Sequence, residues 1–425
     1  MSQERNKYKI ETLALHAGYT PDPTTLSCAV PVYRTSSYVF KDTKHAADLF
    51  SLKQLGNIYT RLMNPTHDVI EQRMAALDGG AAALAHASGT SAIFNAIINI
   101  CRQGDEVIAS NNLYGGTYTM FDAILPQFGI TVAMVDPSDP NNFKNAINNK
   151  TRALFIETMG NPSLEVPDFE RIAQIAKEAH VPLIVDATFT TPYLFKPIEH
   201  GANIVIHSLT KWLGGHGTGI GGIIVDAGNF DWKDPKFTLM NEPNKGYHGL
   251  RFAHDLGDLS PIAYLMKIRL VALRNLGACL SPDNAWMFLQ GIETLPLRMQ
   301  RHSENGLAVA QHLSKHPKVD WVKYPGLKDN PNYKISSKYL KKGFGGMVVF
   351  GIKGGAAAGE AFINKLKLFS HLANVGDAKS LAIHPASTTH SQLSTDQLKT
   401  AGVLPEMLRL SVGIENIDDI IADLD

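Results

Sequence analysis

The sequence is poor in cysteine. Cys28, Cys101 and Cys279 are the three in 425 residues, and their wide spacing matches neither a disulfide framework nor a zinc pattern. Net charge is also missing, since 40 Lys and Arg balance 40 Asp and Glu. That balance argues against a nucleic acid or an anionic membrane as principal partner, because both select for excess positive charge. No apolar run approaches the roughly 18 residues that cross a bilayer. The opening MSQERNKYKIETLALHAGY lacks the apolar core of a secretion signal, so a cytoplasmic protein is expected. Sixteen histidines are present, yet spacings such as His384 to His390 fit no ligand signature, and no metal is expected. Internal repeats and low-complexity tracts are absent too. What is there is 44% apolar and 19% charged residues, in a chain long enough for two or three domains. This is the profile of a globular enzyme acting on a small molecule.

Residues 1–64 are loop-rich, punctuated by PDP, TTLS and NP, and too thin in apolar periodicity to fold alone. They are expected to wrap over the body or over a neighbouring subunit. Val69, Ile70, Met74 and Ala75 predict a helix over 66–76, after the Pro65 breaker. From 80 to 226, AALAHAS, DEVIAS, ITVAMVD, TRALFIET, VPLIVDA, ANIVIHS and GIGGIIVDAG read as strands. Helical runs such as DFERIAQIAKEAH lie between them, which implies buried, mostly parallel strands joined by βαβ crossovers. Residues 231–280 break this rhythm as a loop-and-helix insertion. A long helical reading over 284–316 then leads to a smaller α+β end, with strands in GGMVVFGIKG, SLAIHPAS and EMLRLSVGIE. The expected division is an arm over 1–64, a large α/β domain over 65–298 and a C-terminal domain over 299–425.

The stretch SLTKWLGGHGTGIGG, from Ser208 to Gly222, raises the functional question. A P-loop places its lysine after the glycines, whereas Lys211 precedes them. A dinucleotide fingerprint opens a helix, whereas IIVDAG after Gly222 reads as a strand. Taken alone, the run is a glycine-rich hairpin or loop. Its company at other strand ends points further. Ser208, Thr210 and Lys211 follow ANIVIHS, at the carboxyl edge where open α/β sheets bind ligands. Asp186 ends VPLIVDA one crossover earlier, either as a helix cap or as a functional acid. Asn161 lies beyond TRALFIET, and Tyr114 beyond DEVIAS. Ser88, Gly89 and Thr90 open a helix whose free N–H groups and positive end suit a phosphate. A phosphorylated pyridine aldehyde needs this set: a lysine for a Schiff base, a carboxylate for the ring nitrogen, a stacking aromatic and an anion seat. Lys211, desolvated beside a cationic ring, would have a lowered pKa and serve as nucleophile and then base.

The motifs HSLTKWLGGH, VDATFTTP, ETMGNPSLEVPD, YTRLMNPT, ASGTSAI, HPASTTH and LRLSVGIE run through the chain. Together they resemble the Cys/Met-metabolism family of enzymes dependent on pyridoxal 5′-phosphate. The resemblance implies an α/β, fold-type-I architecture, with a large mostly parallel-sheet domain and a smaller α+β C-terminal domain. It implies Lys211 as the Schiff-base lysine, Asp186 as partner of the pyridine nitrogen and Tyr114 as the stacking residue. Ser88, Gly89, Thr90, Ser208 and Thr210 become the phosphate seat, and Asn161 approaches the phenolic oxygen of the ring. Tyr59 and Arg61 match residues that reach the cofactor phosphate and substrate from the adjacent subunit. An arginine fork neutralises a dianion better than a helix end alone. An active dimer, and a homotetramer built from such dimers, follow by analogy. Arg409 matches the arginine that grips the substrate α-carboxylate, and Ser380 lines the same site. The histidines of HPASTTH keep a structural reading.

Family members run γ-lyase, β-lyase, γ-synthase and sulfhydrylase reactions with the same cofactor residues. Three features resemble the longer O-acetylhomoserine sulfhydrylase branch. Gly116 stands where methionine γ-lyases carry a cysteine; the 231–280 insertion is present; NNLYGGTY and FLQGIETLPLRMQRH match in detail. The implied reaction is γ-replacement, in which O-acetyl-L-homoserine and sulfide or a small thiol give homocysteine or methionine and acetate. Lys211 would move the Cα and Cβ protons, and Tyr114 would assist the leaving group. Methionine γ-lyase or cystathionine γ-synthase is the alternative inside the family. A phosphate- or nucleotide-binding protein using the glycine run is the alternative outside it.

Overall fold

The computed structural model describes residues 7–388 and 403–425. Among these residues the apolar runs between 80 and 226 form one seven-stranded sheet. Its strands are β1 (Ala82–His86), β2 (Glu106–Ser110), β3 (Thr131–Val135), β4 (Thr151–Glu157), β5 (Leu183–Asp186), β6 (Ile204–Ser208) and β7 (Gly222–Asp226). Their order is β1-β7-β6-β5-β4-β2-β3. The block from β3 to β6 is parallel throughout, while β7 is antiparallel to both β6 and β1. The reversal falls at the glycine run, which brings the chain straight back along β6.

The strands read as continuous rather than alternating because both faces of the sheet are covered. Val185, Val205, Ile223 and Val225 pack with Ile70, Met74 and Leu77 of helix α1 (Pro65–Asp78). Ile184, Ile204, Ile206 and Ile224 point the other way, toward Ile93, Ala96 and Ile97 of helix α2 (Gly89–Ile98). Each such fully buried side chain contributes roughly 1.5–3 kcal/mol. Helix α1 starts one residue earlier than its periodicity suggests. Asn64 caps it by accepting the Thr66 N–H at 2.9 Å, Pro65 takes its first position, and Gly79 (φ 78°) ends it.

The 231–280 insertion is not a surface excursion. Tyr264, Leu265 and Ile268 belong to the core against α2, and Tyr264 Oη donates to Ala96 O at 2.8 Å. Lys267, buried, donates to Asn99 O at 2.5 Å and so gives a carbonyl at the end of α2 its partner, while burial lowers the pKa of the amine to about 7. Helix α3 (Phe169–Glu178) is the amphipathic helix expected there, capped by Asp168. The long helical reading divides at Thr294 into α4 (Pro282–Glu293) and α5 (Leu295–Leu313).

Helix α5 leads to a second sheet of β8 (Val319–Lys323), β9 (Met347–Ile352), β10 (Ser370–His371), β11 (Leu381–Ile383) and β12 (Met407–Ser411). The order is β10-β11-β12-β9-β8, antiparallel except between β10 and β11. Val309 and Leu313 of α5 pack under it with Val348, Phe350, Leu408 and Leu410. Among the described residues no helix is long and apolar enough to cross a membrane.

Candidate functional site

Parallel strands finish on one edge of a sheet, so the residues after β2, β4, β5 and β6 are neighbours there. After Ser208 the chain makes one π-helical turn, Leu209–Leu213, in which Lys211 leaves helical geometry (φ −95°, ψ −130°). Leu209, Trp212 and Leu213 are buried and anchor the turn, while Lys211 stays partly exposed. Its amine donates to Asn374 Oδ1 at 2.5 Å. Burial, and then the Arg409 guanidinium, hold its pKa down to about 8. An ordinary lysine is almost wholly charged at neutral pH; this one titrates within reach of it.

The glycines serve the return to β7. A side chain at Gly215 would be strained by its positive φ (74°) and would press on the Arg298 guanidinium, which donates to Trp212 O and Gly291 O. Thr210 Oγ1 closes the loop, donating to Gly221 O at 3.2 Å and accepting the Gly221 N–H at 3.0 Å. The Thr210 hydroxyl is therefore engaged within the loop.

The anion seat is built by α2. Ser88 caps the helix, accepting the Ser91 N–H at 3.0 Å while its own N–H goes to Ser91 Oγ. The first intrahelical bond is from Ala92 N to Ser88 O, so the N–H groups of Gly89 and Thr90 have no acceptor within the helix. Ser208 abuts this end: a Cβ at Gly89 would lie 2.9 Å from Ser208 Cβ. The start of β7 presses on it too, since a Cβ at Gly222 would lie 2.2 Å from Ser88 O. Free N–H groups, the positive helix end and the neighbouring Ser208 hydroxyl fit a phosphate. The Ser88 hydroxyl is occupied by the cap.

Two carboxyls end adjacent strands, for Glu157 of β4 is in register with Asp186 of β5. Asp186 accepts the Thr188 N–H at 2.9 Å. Burial pushes its pKa up, while Thr188 and His207 pull it back. Glu157 is driven well above the usual carboxylate range by burial and by the charge of Asp186. It accepts the Tyr114 N–H at 2.7 Å, which fixes Tyr114 at the head of the helical segment starting at Gly115. The Tyr114 ring lies over Gly116, where a Cβ would stand 2.6 Å from Cε1.

The second sheet closes the cleft. Arg409 of β12, buried, donates from Nη1 to Asn161 Oδ1 at 2.9 Å. Burial lowers its pKa to about 10. The loop carrying Asn374 is pinned to the Lys211 turn, because a Cβ at Gly376 would lie 2.5 Å from Trp212 N. Ser380 is fully buried; its hydroxyl donates to Glu415 Oε2 at 3.0 Å and accepts the Gly413 N–H at 2.9 Å. It thus shapes the strand-end loop from below. His384 bonds Ser387 Oγ and Pro405 O, a structural arrangement, and His390 lies outside the described residues.

The structure gathers Lys211, Asp186, Tyr114, Asn161, Arg409, Ser208 and the head of α2 along one edge of the large sheet. It does not bring Tyr59 or Arg61 there. Arg61 lies 4.9 Å over the Tyr59 ring, and Tyr59 bridges to Ser37. Among the described residues, none of their hydrogen bonds or ring contacts reaches the cleft. Glu157, Asn374 and Glu415 were not anticipated. Glu157 ends its strand as Asp186 does, so the same rule would have found it; Asn374 carries no local signal. No cluster of three potential metal ligands occurs among the described residues.

The family model described as Cys/Met metabolism PLP-dependent enzyme matches residues 11–425. A Leptospira meyeri protein named O-acetyl-L-homoserine sulfhydrylase is 57% identical over 430 residues, covering 100% of this chain and 97% of its own. A Schizosaccharomyces pombe protein named homocysteine synthase is 52% identical, covering 97% of this chain and 96% of its own. A solved Campylobacter jejuni structure, described as an O-acetylhomoserine (thiol)-lyase with N′-pyridoxyl-lysine-5′-monophosphate, superposes with a TM-score of 0.94. It is 42% identical and covers 98% of this chain and 99% of its own.

Proposed function

The chain belongs to the Cys/Met-metabolism family of pyridoxal-phosphate-dependent enzymes, and from that premise we propose how its cleft works. The enzyme is an O-acetylhomoserine sulfhydrylase: it exchanges the acetate of O-acetyl-L-homoserine for sulfide, giving homocysteine. The observation that carries the reading is the convergence of a lysine with lowered pKa, a buried arginine and a strand-end carboxylate on one edge.

The cofactor is pyridoxal 5′-phosphate. When bound, it supplies an aldehyde for covalent capture of an amine and a protonatable ring that draws negative charge from Cα. Lys211 would hold the aldehyde, Asp186 the ring nitrogen, Tyr114 the ring face and Asn161 the phenolic edge. The Gly89 and Thr90 N–H groups and the Ser208 hydroxyl would hold the phosphate. Ser88 acts as the cap of that seat, and Thr210 as the tie of the loop beside it.

Arg409 binds the α-carboxylate of the amino acid, and its bond to Asn161 aims the guanidinium. Lys211, once its amine is free, takes the Cα proton and then a Cβ proton, and returns them after the thiol adds at Cγ. An amine of pKa about 8 is suited to both halves of that work. Tyr114 Oη would assist the departing acetate. Ser380 acts through Glu415, setting the loop that flanks Arg409.

Tyr59 and Arg61 serve the phosphate seat and substrate of a neighbouring subunit. The exposed position of Tyr59 and the buried, unpartnered Nε of Arg61 among the described residues support this. The active unit is then a dimer, and two dimers make a homotetramer in the cytoplasm. A panel of homoserine esters against sulfide, methanethiol and cysteine tests the reading. Turnover should require the acetyl ester with sulfide or a small thiol; a preference for the succinyl ester with cysteine would overturn it.

A further inference from the structure

Arg269 belongs to the 231–280 insertion, in the π-helical turn Ile268–Leu273, and takes no part in the reaction. Its guanidinium makes contacts in two directions. Nη2 pairs with Glu71 Oε2 of α1 at 2.5 Å, and Nη1 donates to Leu62 O at 2.5 Å. Glu71 is buried, so its charge needs this cation. Its other oxygen, Oε1, accepts the Ala85 N–H of β1 at 3.0 Å. β1 leads directly to Ser88, the cap of the anion seat.

The grip on Leu62 gains its meaning from what precedes it. From Ser51 to Arg61 the arm holds no buried residue, and Leu62 is where it enters the core. Tyr59 and Arg61 stand just before that anchor. Hydrogen bonds within the exposed run are local: Thr60 N–H donates to Ser36 O and Tyr38 N–H to Ile58 O, which joins two arm segments to each other. The insertion holds the other end of the run as well, for Tyr247 Oη donates to Phe50 O at 2.8 Å. Tyr247 and Leu270 also line one apolar cavity with Leu49, Ile58 and Leu62. Side chains of the insertion therefore grip the carbonyls of Phe50 and Leu62, one on each side of the run 51–61. A segment ordered before it docks does not lose that ordering entropy on binding.

We propose that the insertion is the brace of the arm. Arg269 at Leu62 and Tyr247 at Phe50 are positioning residues that hold the run 51–61 in the shape in which Arg61 meets the cofactor phosphate of the neighbouring subunit. The proposal rests on the assignment of Arg61 to that phosphate. Through Glu71, the same guanidinium is tied to the strand that enters this chain's own seat.

The test is a double-variant cycle on full-length apoenzyme, with affinity for pyridoxal 5′-phosphate read by absorbance titration. Arg269→Lys keeps a cation beside Glu71 but gives up the fork whose two arms reach different acceptors. Tyr247→Phe keeps the ring and loses the bond to Phe50 O. Affinity should fall about tenfold in Arg269→Lys and about threefold in Tyr247→Phe, and neither change should lower it further in Arg61→Ala. Deuterium exchange over 51–61 should quicken in both variants and stay unchanged over β5 and β6. No loss of affinity, an unmoved exchange rate over 51–61, or an equal further loss in the Arg61→Ala background would overturn the proposal. Unweakened affinity in Arg61→Ala itself would remove the assignment of Arg61, and the proposal with it. If Arg269→Lys does not fold, Tyr247→Phe decides by the same cycle.

Discussion

Lys211 Nζ and Asn374 Oδ1 stand 2.5 Å apart, although 163 residues separate them in the chain. The contact ties the turn after β6 to the loop ahead of β11, and it holds the amine at one address inside the cleft. Removing it with Asn374→Ala should leave cofactor binding nearly intact and lower kcat about tenfold. A hydrogen bond to a charged group contributes roughly 1.5–3 kcal/mol. Cofactor titration and steady-state kinetics check this; a lost cofactor with unchanged kcat in the remaining holoenzyme would contradict it.

Lys211 should capture the cofactor only as the free amine. Below its pKa of about 8 the amine is protonated, so the rate of reconstitution of the apoenzyme should rise with pH through that point. Arg409 contributes to the lowering, and Arg409→Met should move the midpoint upward, toward the ordinary lysine value. The same variant should raise KM for the amino acid at least a hundredfold, as expected for a lost bidentate carboxylate contact. Stopped-flow absorbance across pH reads the first effect, and initial rates read the second.

Gly116 provides the space in which the Tyr114 ring lies, for a Cβ would meet Cε1 at 2.6 Å and Oη at 3.3 Å. Gly116→Ala and Gly116→Cys should displace the ring, shift the absorption band of the holoenzyme and lower kcat/KM for sulfhydrylation about tenfold or more. Since Gly116 is helical and does not have positive φ, stability should change by no more than about 1 kcal/mol. An unchanged spectrum together with full activity would show that the ring does not depend on this contact.

Subunit crossing of the arm predicts complementation. Lys211→Ala and Arg61→Ala homo-oligomers should each be nearly inactive. Co-refolded hybrids should regain activity, because one site in each mixed dimer then has an intact lysine and an intact arginine. Absence of recovery, with hybrids verified by mass, would place Arg61 in the service of its own chain.

The legible part of this protein was what burial writes into the sequence. Strands such as LIVD and IVIHS, covered on both faces, leave uninterrupted apolar runs, and polar residues at their ends mark the binding edge. Asp186, Lys211 and Ser208 were readable for that reason, and Glu157 could have been. The insertion was harder. Its apolar residues announce a helix, but the choice of sheet face is made by packing against α2, which no local pattern records. Asn374 was least legible, because its partner Lys211 is supplied by chain geometry, whereas Ser380 stands near its expected place with its hydroxyl taken by Glu415 and Gly413. The hydroxyls of Ser88 and Thr210 show the same limit. They stand in the expected place, yet neighbouring backbone groups engage them.

γ-Replacement at Lys211 has a direct test in its products. Purified holoenzyme is incubated with O-acetyl-L-homoserine and sulfide, and homocysteine, acetate, 2-oxobutyrate and ammonia are quantified over time. Homocysteine and acetate should form in equal amounts, and Lys211→Ala should abolish both together with the borohydride-sensitive yellow colour. Steady 2-oxobutyrate and ammonia, with no homocysteine in the presence of sulfide, would contradict it.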